Sequence, residues 1–152
     1  MKSELKRILL ADDSSKDVEL TLAALDEHHL ANEVVVVHDG AEAWDYLQRH
    51  GKFAALPAAN PGVVLLDLKM PKMDGLEVLR KMRADERFAT IPVVMLTSSR
   101  EERDVVESYA LGVNAYVVKP VAFQEFIHAV KSLGLFWAVI NEPPPGSLKR
   151  AA

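Results

Sequence analysis

Short apolar runs alternate with amphipathic stretches along the chain. Five runs have the length and β-branched content of buried strands, and they span residues 7–11, 34–37, 63–66, 91–96 and 114–118. Each run is followed by a stretch of helical spacing, as Val18, Leu22 and Leu25 illustrate after the first. This fivefold alternation predicts an α/β fold, with a parallel sheet wound through right-handed crossovers and covered on both faces.

The ends of the predicted helices carry recognisable capping residues. Ser14 or Ser15 can cap the first helix. The second helix is predicted over residues 41–50, with Gly51 as its stop, and Gly112 is expected to end the fourth. The fifth is predicted over residues 123–133. The loop at 52–61 contains two prolines and is predicted to be a surface insertion.

Polar side chains follow four of the five strands at the point where each strand ends. These residues are Asp12 and Asp13, Asp67, Thr97, and Lys119. The carboxyl ends of parallel strands meet at one edge of the sheet, where ligands bind in open α/β folds. The sequence therefore predicts that three carboxylates, a hydroxyl and an ammonium group meet in one site.

Bulk properties exclude several classes of protein. The 152 residues suggest one domain, and the formal charge of −4 argues against direct DNA binding. The absence of cysteine excludes disulfides and thiolate chemistry. No apolar run approaches the roughly 18 residues of a membrane span, and the apolar part of the N-terminus is too short for a signal peptide. We expect a cytoplasmic protein with no membrane or nucleic-acid partner.

The predicted site is suited to phosphoryl transfer. Crowded carboxylates repel one another, and a hard cation such as Mg²⁺ removes that repulsion. A carboxylate beside Mg²⁺ can attack a phosphoryl group, while Lys119 neutralises its charge and Thr97 donates a hydrogen bond. Because no general base for water is evident, we expect a phosphoaspartate that persists. The protein is then a phosphoacceptor and not an enzyme.

This set of residues, with Lys119-Pro120, resembles the receiver domain of two-component response regulators, over about residues 6–133. The resemblance implies a flavodoxin-like, three-layer αβα fold with strand order 2-1-3-4-5. It implies a receiver domain at 6–134, followed by a C-terminal arm at 135–152.

The resemblance also implies a role for each residue of the site. Asp67 would take a phosphoryl group from a histidine kinase. Asp13 and Asp67 would bind Mg²⁺ directly, Asp12 would help through water, and the backbone carbonyl of Lys69 would complete the protein ligands. Lys119 would contact the phosphoryl group. Thr97 and Tyr116 would form a switch pair, and the peptide bond before Pro120 would be cis.

A narrower resemblance concerns the class of histidine kinase that would phosphorylate this chain. The segments LLDLKMPKMDG and SYALGVNAYVVKPV, the long loop before the third strand and the Phe136-Trp137 tail are similar to single-domain regulators paired with bacterial and cyanobacterial phytochrome kinases. The tail is too short for a helix-turn-helix unit. Output is therefore expected through protein contacts, or through transfer to a histidine phosphotransfer protein.

Other functions fit the sequence less well. A phosphatase of the dehalogenase class needs an acid two residues after its nucleophile, where this chain has Lys69. A flavin-binding domain of the same fold needs a phosphate loop after the first strand, where this chain has acids. The main alternative is a receiver-like module that binds partners without phosphorylation. Such modules normally lack the key Asp, Thr or Lys, and all three are present here.

The tail predicts a homodimer. Residues 135–140 are almost wholly apolar and include Phe136 and Trp137. Exposed patches of this kind are uncommon on monomers, and burying each large side chain is worth roughly 1.5–3 kcal/mol. We expect the arm to pack against a second copy. The alternative is that it folds back as an extension of the fifth helix.

Overall fold

Five parallel strands form one sheet at the centre of the molecule. In this computed structural model, which describes residues 7–26, 34–57, 59–98 and 102–132, the strands are β1 (Ile8–Ala11), β2 (Val34–Val37), β3 (Val63–Asp67), β4 (Val93–Thr97) and β5 (Ala115–Val118). They pair in the order β2-β1-β3-β4-β5. The predicted flavodoxin-like fold is confirmed.

Helices cover both faces of the sheet. They are α1 (Ser15–Asp26), α2 (Gly40–Gln48), α3 (Gly75–Ala84), α4 (Glu102–Ala110) and α5 (Phe123–Ser132), and one 3₁₀ turn spans Gly51–Phe53. The predicted arm, with Phe136 and Trp137, lies outside the described residues, and the homodimer stays a prediction. Within the described ranges, none of the helices has both the length and the apolar character needed to cross a bilayer.

Alternation along the strands divides the core into two layers. Leu9 and Ala11 of β1 pack with the buried faces of α2 and α3, whereas Ile8 and Leu10 pack with those of α1 and α5. The strands are apolar on both faces because both layers exclude water. The helices contribute apolar side chains to these layers: Ala43, Tyr46 and Leu47 from α2, Val78, Leu79 and Met82 from α3, Val18 and Leu25 from α1, and Phe126 and Ala129 from α5.

Most element boundaries lie within one residue of the prediction, and two differ from it by two residues. Helix α2 ends at Gln48 and not at His50, and its C-cap residue Arg49 is in the left-handed conformation at φ 60°. Its guanidinium donates to the carbonyls of Pro57 (2.9 Å) and Ala59 (2.7 Å), and these tertiary bonds offset the cost of that conformation. Strand β4 begins at Val93, because the Ile91 N–H donates to Phe88 in a turn (3.1 Å).

Arg83 ties α3 to the loops that precede β4 and β5. Its guanidinium donates to the backbone carbonyls of Ala89 (3.1 Å), Ile91 (2.9 Å) and Gly112 (2.9 Å). It also donates to Asn114 Oδ1 (3.0 Å), which accepts from the backbone of Val93 (2.8 Å). One side chain therefore pairs several backbone groups that the sheet itself leaves unpaired.

We expect Arg83→Met to lower the free energy of unfolding by about 1–3 kcal/mol, because it leaves partly buried carbonyls without a donor. Urea unfolding followed by circular dichroism measures the change. Arg80→Met is the matched control, since Arg80 is exposed on the same helix, and it should change stability by less than about 0.5 kcal/mol. Equal losses in the two variants would contradict this role for Arg83.

Candidate functional site

The carboxyl ends of β1, β3, β4 and β5 lie along one edge of the sheet, and backbone hydrogen bonds continue past them. The N–H of Asp12 donates to Val37 (3.0 Å), and that of Lys119 donates to Thr97 (2.8 Å). Asp67 is the last residue of β3 and pairs in register with Leu96. The structure therefore places Asp12, Asp67, Thr97 and Lys119 side by side, as the polar pattern predicts.

The loop after Asp67 is held close against the strand. Asp74 caps α3 by accepting from the N–H of Glu77 (2.9 Å), and the N–H of Gly75 donates to Leu68 (2.9 Å). A Cβ at Gly75 would lie 2.3 Å from the Asp67 carbonyl oxygen, so no larger residue fits there unless the backbone moves. Lys69 lies in this loop with an exposed side chain.

Three carboxylates converge at this edge. One oxygen from each of Asp12, Asp13 and Asp67 lies within 4.8 Å of the others. Asp12 is fully buried and Asp67 is 6% exposed, whereas Asp13 is exposed. Asp12 Oδ1 accepts from the backbone of Ser14 (3.0 Å), and the buried Oδ2 forms an ion pair with Lys119. Three converging carboxylates, which offer oxygen ligands only, suit a hard divalent cation such as Mg²⁺ or Mn²⁺.

Lys119 supplies the positive charge of the site. Its Nζ lies 3.0 Å from Asp12 Oδ2, 3.3 Å from Asp67 Oδ2 and 2.9 Å from Asp17 Oδ2, and its side chain is 9% exposed. Sequence analysis did not single out Asp17. An acid in the first turn of a helix is ordinary, because it complements the helix dipole. Only the folded chain places this acid beside Lys119.

Burial and charge shift the pKa values of the central pair. Burial, together with the neighbouring Asp12 carboxylate, raises the pKa of Asp67 to about 7 despite the nearby ammonium. Burial alone would lower the pKa of Lys119, but the hydrogen bond to Asp17 and the charges of Asp12 and Asp67 raise it above its ordinary value. Lys119 therefore stays charged, whereas the metal-free Asp67 binds a proton at moderately acidic pH.

Thr97 and Tyr116 border one small cavity between β4 and α4. Its remaining lining comes from Leu68, Met95, Val105 and Ser108. Thr97 is buried, whereas Tyr116 is 39% exposed and stacks edge-on against Tyr109, with 5.8 Å between ring centroids. The Lys119–Pro120 peptide bond is cis. The predicted switch pair therefore lies on two sides of a space next to the carboxylate site.

Comparison with known proteins places this geometry in a family. Residues 8–131 match the response regulator receiver domain. The response regulator Rcp1 of Synechocystis sp. is 37% identical over 132 residues, which are 87% of this chain and 88% of Rcp1. Its solved Mn²⁺-bound form has a TM-score of 0.72 and covers 88% of this chain and 94% of that chain.

Two phytochrome-associated regulators are also similar in structure. The bacteriophytochrome response regulator RtBRR is 62% identical, with a TM-score of 0.83, over 95% of this chain and 87% of its own. The phosphorylated cyanobacterial phytochrome response regulator RcpA is 40% identical, with a TM-score of 0.73, over 88% of this chain and 94% of its own. With its converging carboxylates, its Lys119 and its five-stranded sheet, this chain belongs to the receiver-domain family of two-component response regulators.

Proposed function

We propose that Asp67 accepts a phosphoryl group from a sensor histidine kinase in a Mg²⁺-dependent reaction, and that the chain signals through phosphorylation-dependent protein contacts. The observation that carries this proposal is the meeting of the Asp12, Asp13 and Asp67 carboxylates with the Lys119 ammonium. In this arrangement a nearly buried carboxylate is surrounded by the groups that neutralise a transferring phosphoryl group.

The residues of the chain would divide the chemistry as follows. A carboxylate oxygen of Asp67 attacks phosphorus, and the bond from phosphorus to the donor imidazole nitrogen breaks. Lys119 Nζ, 3.3 Å from Asp67 Oδ2, lies within reach of the phosphoryl oxygens and offsets their charge. The cation would be held by Asp13 and Asp67 directly, by Asp12 through water, and by the backbone carbonyl of Lys69. When bound, Mg²⁺ supplies further positive charge beside the phosphoryl oxygens.

The partners follow from the relatives. RtBRR and RcpA are named as phytochrome response regulators, so we propose a phytochrome-type histidine kinase as the phosphoryl donor. A histidine phosphotransfer protein is the proposed onward acceptor, and a second copy of this chain is a further proposed partner. The residues described at this site neutralise charge, and none of them has the role of a general base that activates water. The chain therefore acts as a phosphoacceptor with slow autodephosphorylation.

We expect the chain to gain one phosphoryl group from acetyl phosphate with Mg²⁺, and Asp67→Asn to remain unmodified because it lacks the nucleophile. Intact-mass spectrometry measures the added group. Asp74→Asn is the matched control in the same loop: Asp74 caps α3, and Asn caps a helix equally well. A parent chain that takes no phosphoryl group would favour the phosphorylation-independent binding module. Labelling of Asp67→Asn as fast as the parent would contradict the assignment of Asp67 as the acceptor.

Burial of Asp67, together with repulsion from Asp12, predicts a pH-dependent stability in EDTA. Its folded-state pKa of about 7 exceeds the ordinary value of 3.8, so the folded state binds more protons than the unfolded state between these values. The Asp67 contribution therefore destabilises the fold progressively as pH rises through that window. The stability of Asp67→Asn relative to the parent should therefore rise by on the order of 2 kcal/mol from pH 5 to pH 8, since one pKa unit is about 1.4 kcal/mol.

Urea unfolding at the two pH values measures this gain, and Asp26→Asn, at the exposed end of α1, is the control. At a saturating Mg²⁺ concentration of about 10 mM, the gain should disappear, because the cation stabilises the ionised carboxylate. A gain that is independent of pH, or unaffected by Mg²⁺, would contradict the proposed cation site.

The Thr97–Tyr116 pair is the proposed switch. The phosphoryl group adds roughly −1.5 to −2 charges and strong hydrogen-bond acceptors. We expect Thr97 to move towards it, so that Tyr116 can turn into the cavity between β4 and α4. In ¹³C-tyrosine NMR the Tyr116 signal should then shift on phosphorylation in the parent and in Ser98→Ala, but not in Thr97→Ala. An equal shift in phosphorylated Thr97→Ala would contradict the coupling.

A further inference from the structure

The contact between Asp17 and Lys119 has no part in the phosphoacceptor assignment. At 2.9 Å it is the shortest of the three carboxylate contacts to Lys119 Nζ, and it is a hydrogen bond. The ammonium group has three protons to donate, and three carboxylates surround it. Asp17 approaches from α1, whereas Asp12 and Asp67 lie at strand ends.

Asp17 differs from the acids that form the cation site. One oxygen from each of Asp12, Asp13 and Asp67 belongs to the converging cluster, and Asp17 is not part of it. Its side chain is 33% exposed, whereas that of Asp12 is fully buried. The first turn of α1 is held by Ser14, whose Oγ accepts from the backbone N–H of Asp17 (3.2 Å). The helix therefore presents Asp17 at the rim of the cluster, on the solvent side of Lys119.

We infer that Asp17 is a positioning residue for Lys119: it holds the ammonium at the rim of the acidic cluster, so that Asp12 and Asp67 can bind a divalent cation. This inference rests on the proposed function, in which those acids hold Mg²⁺. Lys119 and the cation carry like charges and share two carboxylates. Without Asp17, Lys119 has Asp12 and Asp67 as its remaining counter-ions, and it then competes for the oxygens that the cation needs.

The test is a double-mutant cycle with Mg²⁺ affinity as its readout, measured by calorimetry. In the otherwise unmodified chain, Asp17→Asn should weaken Mg²⁺ binding about fivefold, the upper range for a partly exposed ion pair. In Lys119→Met, which lacks the competing ammonium, the same substitution should weaken binding by less than about twofold. Glu19→Gln, an exposed acid on the same helix, controls for the loss of one negative charge and should match that smaller effect.

The outcomes separate this inference from the proposed function. If Asp17→Asn weakens Mg²⁺ binding equally in both backgrounds, Asp17 acts through its charge alone and the inference is overturned. It is also overturned if Asp17→Asn weakens Mg²⁺ binding in neither background. A parent chain that binds no Mg²⁺ contradicts the cation site and the inference together. A crystal structure of the Mg²⁺-bound parent is the second measurement, independent of whether the variants fold. Lys119 Nζ should remain hydrogen-bonded to Asp17, and its loss from Asp17 overturns the inference.

Discussion

The attraction between one ammonium group and several carboxylates is the interaction on which this site depends. Lys119 reaches Asp12, Asp17 and Asp67 within 3.3 Å, and two of these three acids are almost completely buried. Removing such charges from water is costly, and their pairing rarely recovers the whole cost. The carboxylates outnumber their counter-charge, and the raised pKa of Asp67 reflects its burial first and the neighbouring Asp12 carboxylate second. The fold therefore keeps a destabilised carboxylate at the edge where we propose that a cation and a phosphoryl group bind.

The parallel sheet is what makes this arrangement possible. Crossovers through helices bring the carboxyl ends of β1, β3 and β5 to the same edge, although Asp17 and Lys119 are 102 residues apart in sequence. The loops at that edge are held by close backbone contacts. A Cβ at Gly40 would lie 1.8 Å from the Met73 carbonyl oxygen, which fixes the start of α2 against the loop that follows Asp67. Rigid elements thus set the geometry of the acids.

The carboxylate site borders the cavity between β4 and α4. Thr97 lies beside the carboxylates and also lines the cavity below α4, while Tyr116 closes the other side of that cavity. Tyr116 and Tyr109 are both half exposed and stack edge-on, so a change in one ring alters the surface formed by both.

The sequence alone determined the fold class, the order of elements and four of the strand-end residues, because apolar periodicity and parallel winding place Asp12, Asp67, Thr97 and Lys119 at one edge. Only the tertiary structure decided which partners these residues have. Asp17 reads as an ordinary first-turn acid until the fold brings it to Lys119, which follows β5. Arg83 reads as a surface cation until its guanidinium meets Gly112, 29 residues away. Local periodicity encodes burial, whereas pairing between distant polar groups depends on helix positions that no local pattern contains.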